Sequence, residues 1–317
     1  MRPFFSNMAT IQENLDLLKS TKASLKQAIL DKGVADVGDT FSTYPDKIAE
    51  IQGVVITGLK GPDLDKLGYS ENLKALTYGV LSSQNTAVGD ATKAAYDKWN
   101  PSYTSADSFC YQDTSLQYAP AVDLSNVTSA RECFWSCSNM VMAPSFNTSK
   151  CKDLTSFFSN CDKLVSFEGL DTTSATKLDG TFYNCASLLK LPEGFSIPGT
   201  VYYVNNLFTR CKSIVAIPEL DCSGVTETGT WQMFSQCYAL KEFGGLKGMK
   251  VNYSLKDCTQ LSLESLVNAV SKLYDFTAAG ETPGSGQGTL TLGSTNYNKL
   301  TEDQIAIGTN KGWTIIA

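Results

Sequence analysis

The chain contains no histidine. That one absence excludes Ser-His-Asp and Cys-His catalysis, the HExxH zinc site and the two-His-one-carboxylate iron site together. Positive charge is also scarce: 26 Lys and Arg stand against 32 Asp and Glu, a net charge of −6. Nucleic acid and anionic membrane surfaces call for a basic face, so neither is expected as the main partner. No run of about 18 apolar residues suggests a membrane span, and no membrane insertion is expected. The opening "MRPFFSNMATIQENLDLLKSTKASLKQAIL" lacks the apolar core of a secretory leader, which predicts synthesis in the cytoplasm.

What remains is an ordinary globular composition, 42% hydrophobic and 18% charged, in 317 residues. That length suits one large core or two to three modules. Ten cysteines would ordinarily suggest a disulfide map. Six of them, however, hold one recurring place: Cys137, Cys161, Cys185, Cys211, Cys237 and Cys258. Three residues before each stands an aromatic: Phe134, Phe158, Phe182, Phe208 and Phe234, with Leu255 last. Phe109 reads as the lead of a first unit with Gln112 in the cysteine place, giving intervals of 25, 24, 24, 26, 26 and 21. Six residues after the lead comes Met140, Leu164, Leu188, Ile214, Leu240 or Leu261. A period of about 20 to 29 residues belongs to leucine-rich solenoids, in which no unit can bury its apolar face without its neighbours. Cysteine then recurs as a small hydrophobe in a stacked column, where parallel Cβ vectors suit disulfides poorly. A zinc site on Cys133 and Cys137 is the alternative, and neither a second pair nor a histidine supports it.

The rest of the chain frames this repeat. Met8, Ile11, Leu15, Leu18, Leu25 and Ile29 keep a three-four rhythm with Lys22 as its polar member. It reads equally as an oligomerising coiled coil or as an amphipathic helix folded on its own domain. After Leu261, a helix over Ser262 to Phe276, a "TLTL" strand, a helix ending at Gly312 and a "WTIIA" strand would close the stack. The expected fold class is an α/β repeat: a leucine-rich-repeat solenoid over 106–261. It follows an N-terminal helical docking or oligomerisation module (1–53) and a connecting domain (54–105), and precedes an α/β cap (262–317).

Without histidine, an enzyme would have to run on carboxylates, and Asp171, Asp179, Glu219, Asp221 and Glu227 fall at the edges of units. They form no repeating pair, so no catalytic residue, metal ligand or cofactor is expected. Binding is the better expectation. Each unit offers two variable positions between buried residues: Val141 and Met142, Val165 and Ser166, Leu189 and Lys190, Val215 and Ala216, Lys241 and Glu242. The longer units add Tyr202, Tyr203 and Trp231, rings that suit sugars and protein hot spots or simply cover a wider unit.

The Phe-x-x-Cys-x-x-Leu blocks at 158–164, 182–188, 208–214 (with Ile214) and 234–240 resemble the treponemal-type (BspA-like) leucine-rich repeats of gut Bacteroidales and their phages. The ending "TLTLGSTNYNKLTEDQIAIGTNKGWTIIA" is similar to one that accompanies these repeats. "TKASLKQAILDKGVADVGDTFSTYPDKIAEI" is similar to a short module at the front of phage tail and fibre proteins. The resemblance implies a non-enzymatic adhesin or virion surface protein. The reading it favours is a tail fibre or tail-associated component, made in the host cytoplasm and released by lysis. Its partners would be other virion proteins and a host cell-surface protein or glycan, with a homo-oligomer such as a trimer as its form. A bacterial cell-surface adhesin or scaffold is the alternative, and a polysaccharide depolymerase the third reading.

Overall fold

The structure is a computed structural model that describes residues 86–226 and 232–317. The heptad positions Ile11, Leu15, Leu18, Leu25 and Ile29 lie outside the described residues, as do Trp231 and Glu227. Helix α1 (Thr86–Asp97) leads to Trp99. The Trp99 indole N–H donates to the Asp123 carbonyl at 2.9 Å, and its ring meets Tyr103 and Phe109 edge-on at 5.4 and 5.0 Å.

From residue 104 the backbone pairs with itself one unit further on. Amides 106, 108, 110 and 112 donate to carbonyls 129, 131, 133 and 135. The same pattern joins 130–136 to 153–159, 154–160 to 177–183 and 178–184 to 203–209, all at 2.7–3.1 Å. The intervening amides turn back within their own unit, 109 to 106, 111 to 108 and 113 to 110. Along these stretches local and inter-unit bonds thus alternate, so the ribbon's backbone is largely self-satisfied.

The geometry demands left-handed backbone twice per unit, at 108 and 112, 132 and 136, 156 and 160, 180 and 184, 206 and 210. Only Gly180 among these escapes the usual penalty of about 1–2 kcal/mol. Asn160, Asn184 and Asn206 are the next most tolerant type. The remaining strain is held by the inter-unit bonds and by the core beneath. "TSFFSNC" is therefore a ribbon of tight turns and not a strand.

This pairing corrects the sequence register of the first unit. Cys110, not Phe109, occupies the place of Phe134: Cys110 donates to Cys133 as Phe134 does to Phe157. Asp113 and Leu116, not Gln112, then fall under Cys137 and Met140, and the first interval is 24 rather than 25. Phe109 falls in the place of Cys133 and Phe157, one before the lead, and its ring meets Trp99.

Inside, the lead rings form a column. The Phe134, Phe158, Phe182, Phe208 and Phe234 centroids follow one another at 5.8, 6.1, 5.7 and 5.9 Å, with interplanar angles of 25° or less. Offset stacking of this kind adds to the burial of each ring. The recurring cysteines Cys137, Cys161, Cys185, Cys211, Cys237 and Cys258 form a second column, buried and unpaired. Each thiol donates to the backbone of the preceding unit: Cys161 to Phe134, Cys185 to Phe158 and Cys237 to Phe208 at 3.1 Å, Cys137 to Cys110 and Cys211 to Phe182 at 3.0 Å.

Regular strands occupy a small part of each unit, and all pair in parallel. β1 (Met142–Phe146) joins β2 (Ser166–Leu170) with Met142 opposite Ser166. β3 (Ala216–Ile217) joins β5 (Glu242–Phe243), and β4 (Leu220–Asp221) joins β6 (Leu246–Lys247). A last sheet orders β7 (Tyr253–Ser254), β8 (Thr289–Thr291) and β9 (Thr314–Ile316).

Helix α2 (Leu263–Ser271) meets the open edge at Lys241–Phe243. Ser262 donates its amide to the Lys241 carbonyl at 3.0 Å, and the Phe243 amide donates to Ser265 Oγ at 2.9 Å. This is how an exposed strand edge is blunted. The helix ends at Ser271, short of the expected Phe276. A separate turn α3 (Phe276–Ala279) starts there, capped by the Asp275 carboxylate on the Ala278 amide. Helices α4 (Ser294–Tyr297) and α5 (Glu302–Thr309) follow, the latter opened by a Thr301–Gln304 capping box. Asn296, Lys299 and Lys311 reach back to carbonyls at Leu255, Cys258, Thr259, Leu261 and Leu273.

Candidate functional site

The second ladder of each unit carries the variable positions of the repeat. Val141 donates its amide to Gln117, Val165 to Val141, Leu189 to Val165, Val215 to Leu189 and Lys241 to Val215, at 2.8–3.2 Å. Residues on either side point inward and are buried: Met140 and Ala143, Leu164 and Phe167, Leu188 and Leu191, Ile214 and Ile217, Leu240 and Phe243. Of the side chains between them, Met142 is buried, against the expectation that it is a surface position, and the residues in the place of Val141 face out. Val141 and Val165 are half-buried, whereas Leu189 is 46% and Val215 41% exposed. The result is one aliphatic side chain per unit along a hydrogen-bonded face. Contiguous exposed apolar surface of this kind marks interaction sites. Lys190, Lys241 and Glu242 are exposed on the same ladder, where the bridge pairs Lys190 with Ala216 and Ala216 with Glu242.

Tyr202 and Tyr203 belong elsewhere. Tyr203 pairs with Lys177 on the ladder 105–129–153–177–203, and the Tyr202 amide donates to Thr176 at 3.0 Å. The two rings tilt against each other at 4.7 Å, and Lys177 Nζ lies 5.8 Å from the Tyr203 ring. The structure therefore separates the candidate binding residues into two groups on different ladders and does not join them.

The edge carboxylates are engaged one by one. Asp171 accepts from the Thr173 amide at 2.9 Å and Asp179 from the Asn205 amide at 3.1 Å. Burial pushes the Asp179 carboxyl above its ordinary range. Glu219 pairs with Lys272 at 2.7 Å, and Asp221 accepts from the Ser223 amide at 3.0 Å. Burial also pushes the thiols up: Cys137 and Cys151 to about 12, and Cys161, Cys185 and Cys211 well above the ordinary range. Thiols held protonated this way make poor nucleophiles and poor metal ligands. Among the described residues, no group of three or more His, Cys, Asp or Glu is placed to hold a metal ion, and no helix is long and apolar enough to cross a membrane.

One surface feature escaped the sequence reading. Tyr111 and Trp135 stack face to face at 4.7 Å and 11°. They are 24 residues apart, one unit, and share the place after the lead once Cys110 is the lead. With Phe109 as lead they fall in different places, so a slip of one residue hid the pair.

Residues 104–217 match the family described as "Mycoplasma protein of unknown function, DUF285", and residues 128–243 match it again. The second match starts 24 residues after the first and ends 26 after it, a shift of one unit. The family pattern is thus itself periodic, in step with the hydrogen-bond ladder. No curated protein and no solved structure matches the chain.

Proposed function

We propose that residues 106–261 form a leucine-rich-repeat solenoid that works by recognition and not by catalysis. The observation that carries this reading is the outward row Val141, Val165, Leu189 and Val215. Four aliphatic side chains sit at matching positions on a hydrogen-bonded face, two of them over 40% exposed. Stacked repeats bind through such extended faces, and a rigid ladder brings the row to a partner without an ordering penalty. Lys190, Lys241 and Glu242 at its margin would set orientation and partner choice.

The resemblance of the repeats to those of Bacteroidales and their phages, and of the N-terminal segment to a module of phage tail and fibre proteins, supports a tail fibre or tail-associated virion component. In this reading residues 1–53 dock or oligomerise on the particle, and the solenoid meets a host-surface molecule or a neighbouring virion protein. Antibody labelling of purified particles tests the location: the reading expects label on tails and fails if particles carry no copies. The Leu189→Asp, Val215→Asp double variant tests the face, with at least a tenfold loss of attachment expected at unchanged folding.

A bacterial surface adhesin or scaffold is the second reading. The match to a family described from Mycoplasma, a cellular organism, favours it. Label on intact cells rather than on particles would decide for it.

A further inference from the structure

A second surface flanks the cysteine column, away from the aliphatic row. Gln112, Thr114, Ser136, Ser138, Asn160 and Asp162 line a polar groove of about 520 Å³ across the first three units. Its members come from two alternating places, two and four residues after the lead, so each unit contributes one pair. Asn184 closes the far end by donating to Asn160 Oδ1 at 3.1 Å and to Asp162 Oδ1 at 2.6 Å. The place before the groove's first column holds the stacked Tyr111 and Trp135. That Arg210 lies 5.7 Å from the Tyr183 ring shows these neighbouring places in contact on the surface.

We infer that this groove, together with the Tyr111–Trp135 stack at the adjoining place of the repeat, binds a neutral oligosaccharide. Three observations converge. The side chains of Gln112, Ser136 and Ser138 have no hydrogen-bond partner among the described residues. The indole N–H groups of Trp99 and Trp313 are each satisfied by a carbonyl at 2.9 Å, whereas that of Trp135 meets none among the described residues. Trp135 covers one side of the Tyr111 ring, and 42% of Tyr111 stays exposed.

Hydroxyl and amide groups set beside an aromatic face match the alternating polar rim and apolar C–H face of a pyranose. The lining holds one carboxylate, Asp162, and no Lys or Arg, which disfavours sialylated, sulfated or phosphorylated chains. A groove that repeats at strand spacing presents its donors in register to a polymer of similar sugars.

The inference adds a ligand class to the recognition reading but does not depend on where the chain is located. The experiment is titration of the purified full chain with maltohexaose, cellohexaose, chitohexaose and mannohexaose, by calorimetry and by tryptophan fluorescence. At least one probe should bind and change the fluorescence. Tyr111→Ala should weaken that binding about tenfold, equivalent to ~1.4 kcal/mol. Trp135→Phe, which keeps a stacking ring and removes the N–H, should weaken it less. Both variants should melt at the wild-type temperature, so a loss of binding is not a loss of fold. The inference is overturned if none of the four probes binds, or if binding survives unchanged in both variants. Neither result bears on particle labelling or on the Leu189, Val215 variant.

Discussion

The recurring cysteine does two things that the sequence pattern makes look like one. It fills a place with room for a small apolar side chain, and it donates its S–H to the carbonyl of the unit before it. The first role was legible from spacing and composition, and the second depends on the ladder geometry. Cys185→Ala should cost up to about 1.5 kcal/mol, the range of one modest hydrogen bond. Cys185→Leu should cost more, about 1–3 kcal/mol, because the column has no space for it. Thermal melts of both variants check this. The thiols also set an alkaline limit. Their folded pKa lies above the unfolded one, about 12 for Cys137 and Cys151 against 9.0. Above pH 9 the unfolded chain therefore releases protons that the folded chain keeps. This contribution to stability is complete below pH 9 and is lost as pH rises towards 12. Melting temperature should accordingly fall from pH 9 upward, and more steeply for the wild type than for a Cys137→Ala, Cys151→Ala variant.

At the scale of elements, the repeat was readable and the backbone conformation was not. Phe, Cys and Leu recur because their side chains share a column, and that is a statement about side chains. The left-handed residues Ser108, Glu132, Ser156 and Arg210 carry no such mark, since none is a type that favours the conformation. The slip at Phe109 arose because a phenylalanine stands one place before the lead, where Cys133 and Phe157 stand in the next units. The cap was legible as alternating helix and strand, but not the place where α2 docks. There Ser265 accepts the buried Phe243 amide, so Ser265→Ala should leave that amide unpaired and cost about 1–3 kcal/mol. Gly244 is a harder limit: an added Cβ would fall 2.2 Å from the Glu219 backbone nitrogen. Gly244→Ala should destabilise more than Ser265→Ala, measured by urea unfolding of the two side by side.

Over the whole repeat region, stability comes from neighbour on neighbour, so damage to one unit should be felt by all. Phe182 lies between Phe158 and Phe208, fully buried and parallel to the latter at 0°. Phe182→Ala should cost about 3–5 kcal/mol and expose thiols in units it does not touch. The most direct test of axial order uses the same shielding. Because the native thiols are buried and held protonated, nitroxides can be placed selectively at Gln117→Cys and Lys241→Cys, the ends of the outward ladder. Five inter-strand spacings separate them, so pulsed dipolar spectroscopy should give one narrow distance near ~24 Å plus the label arms. A broad distribution, or a separation twice as long, would contradict the stack.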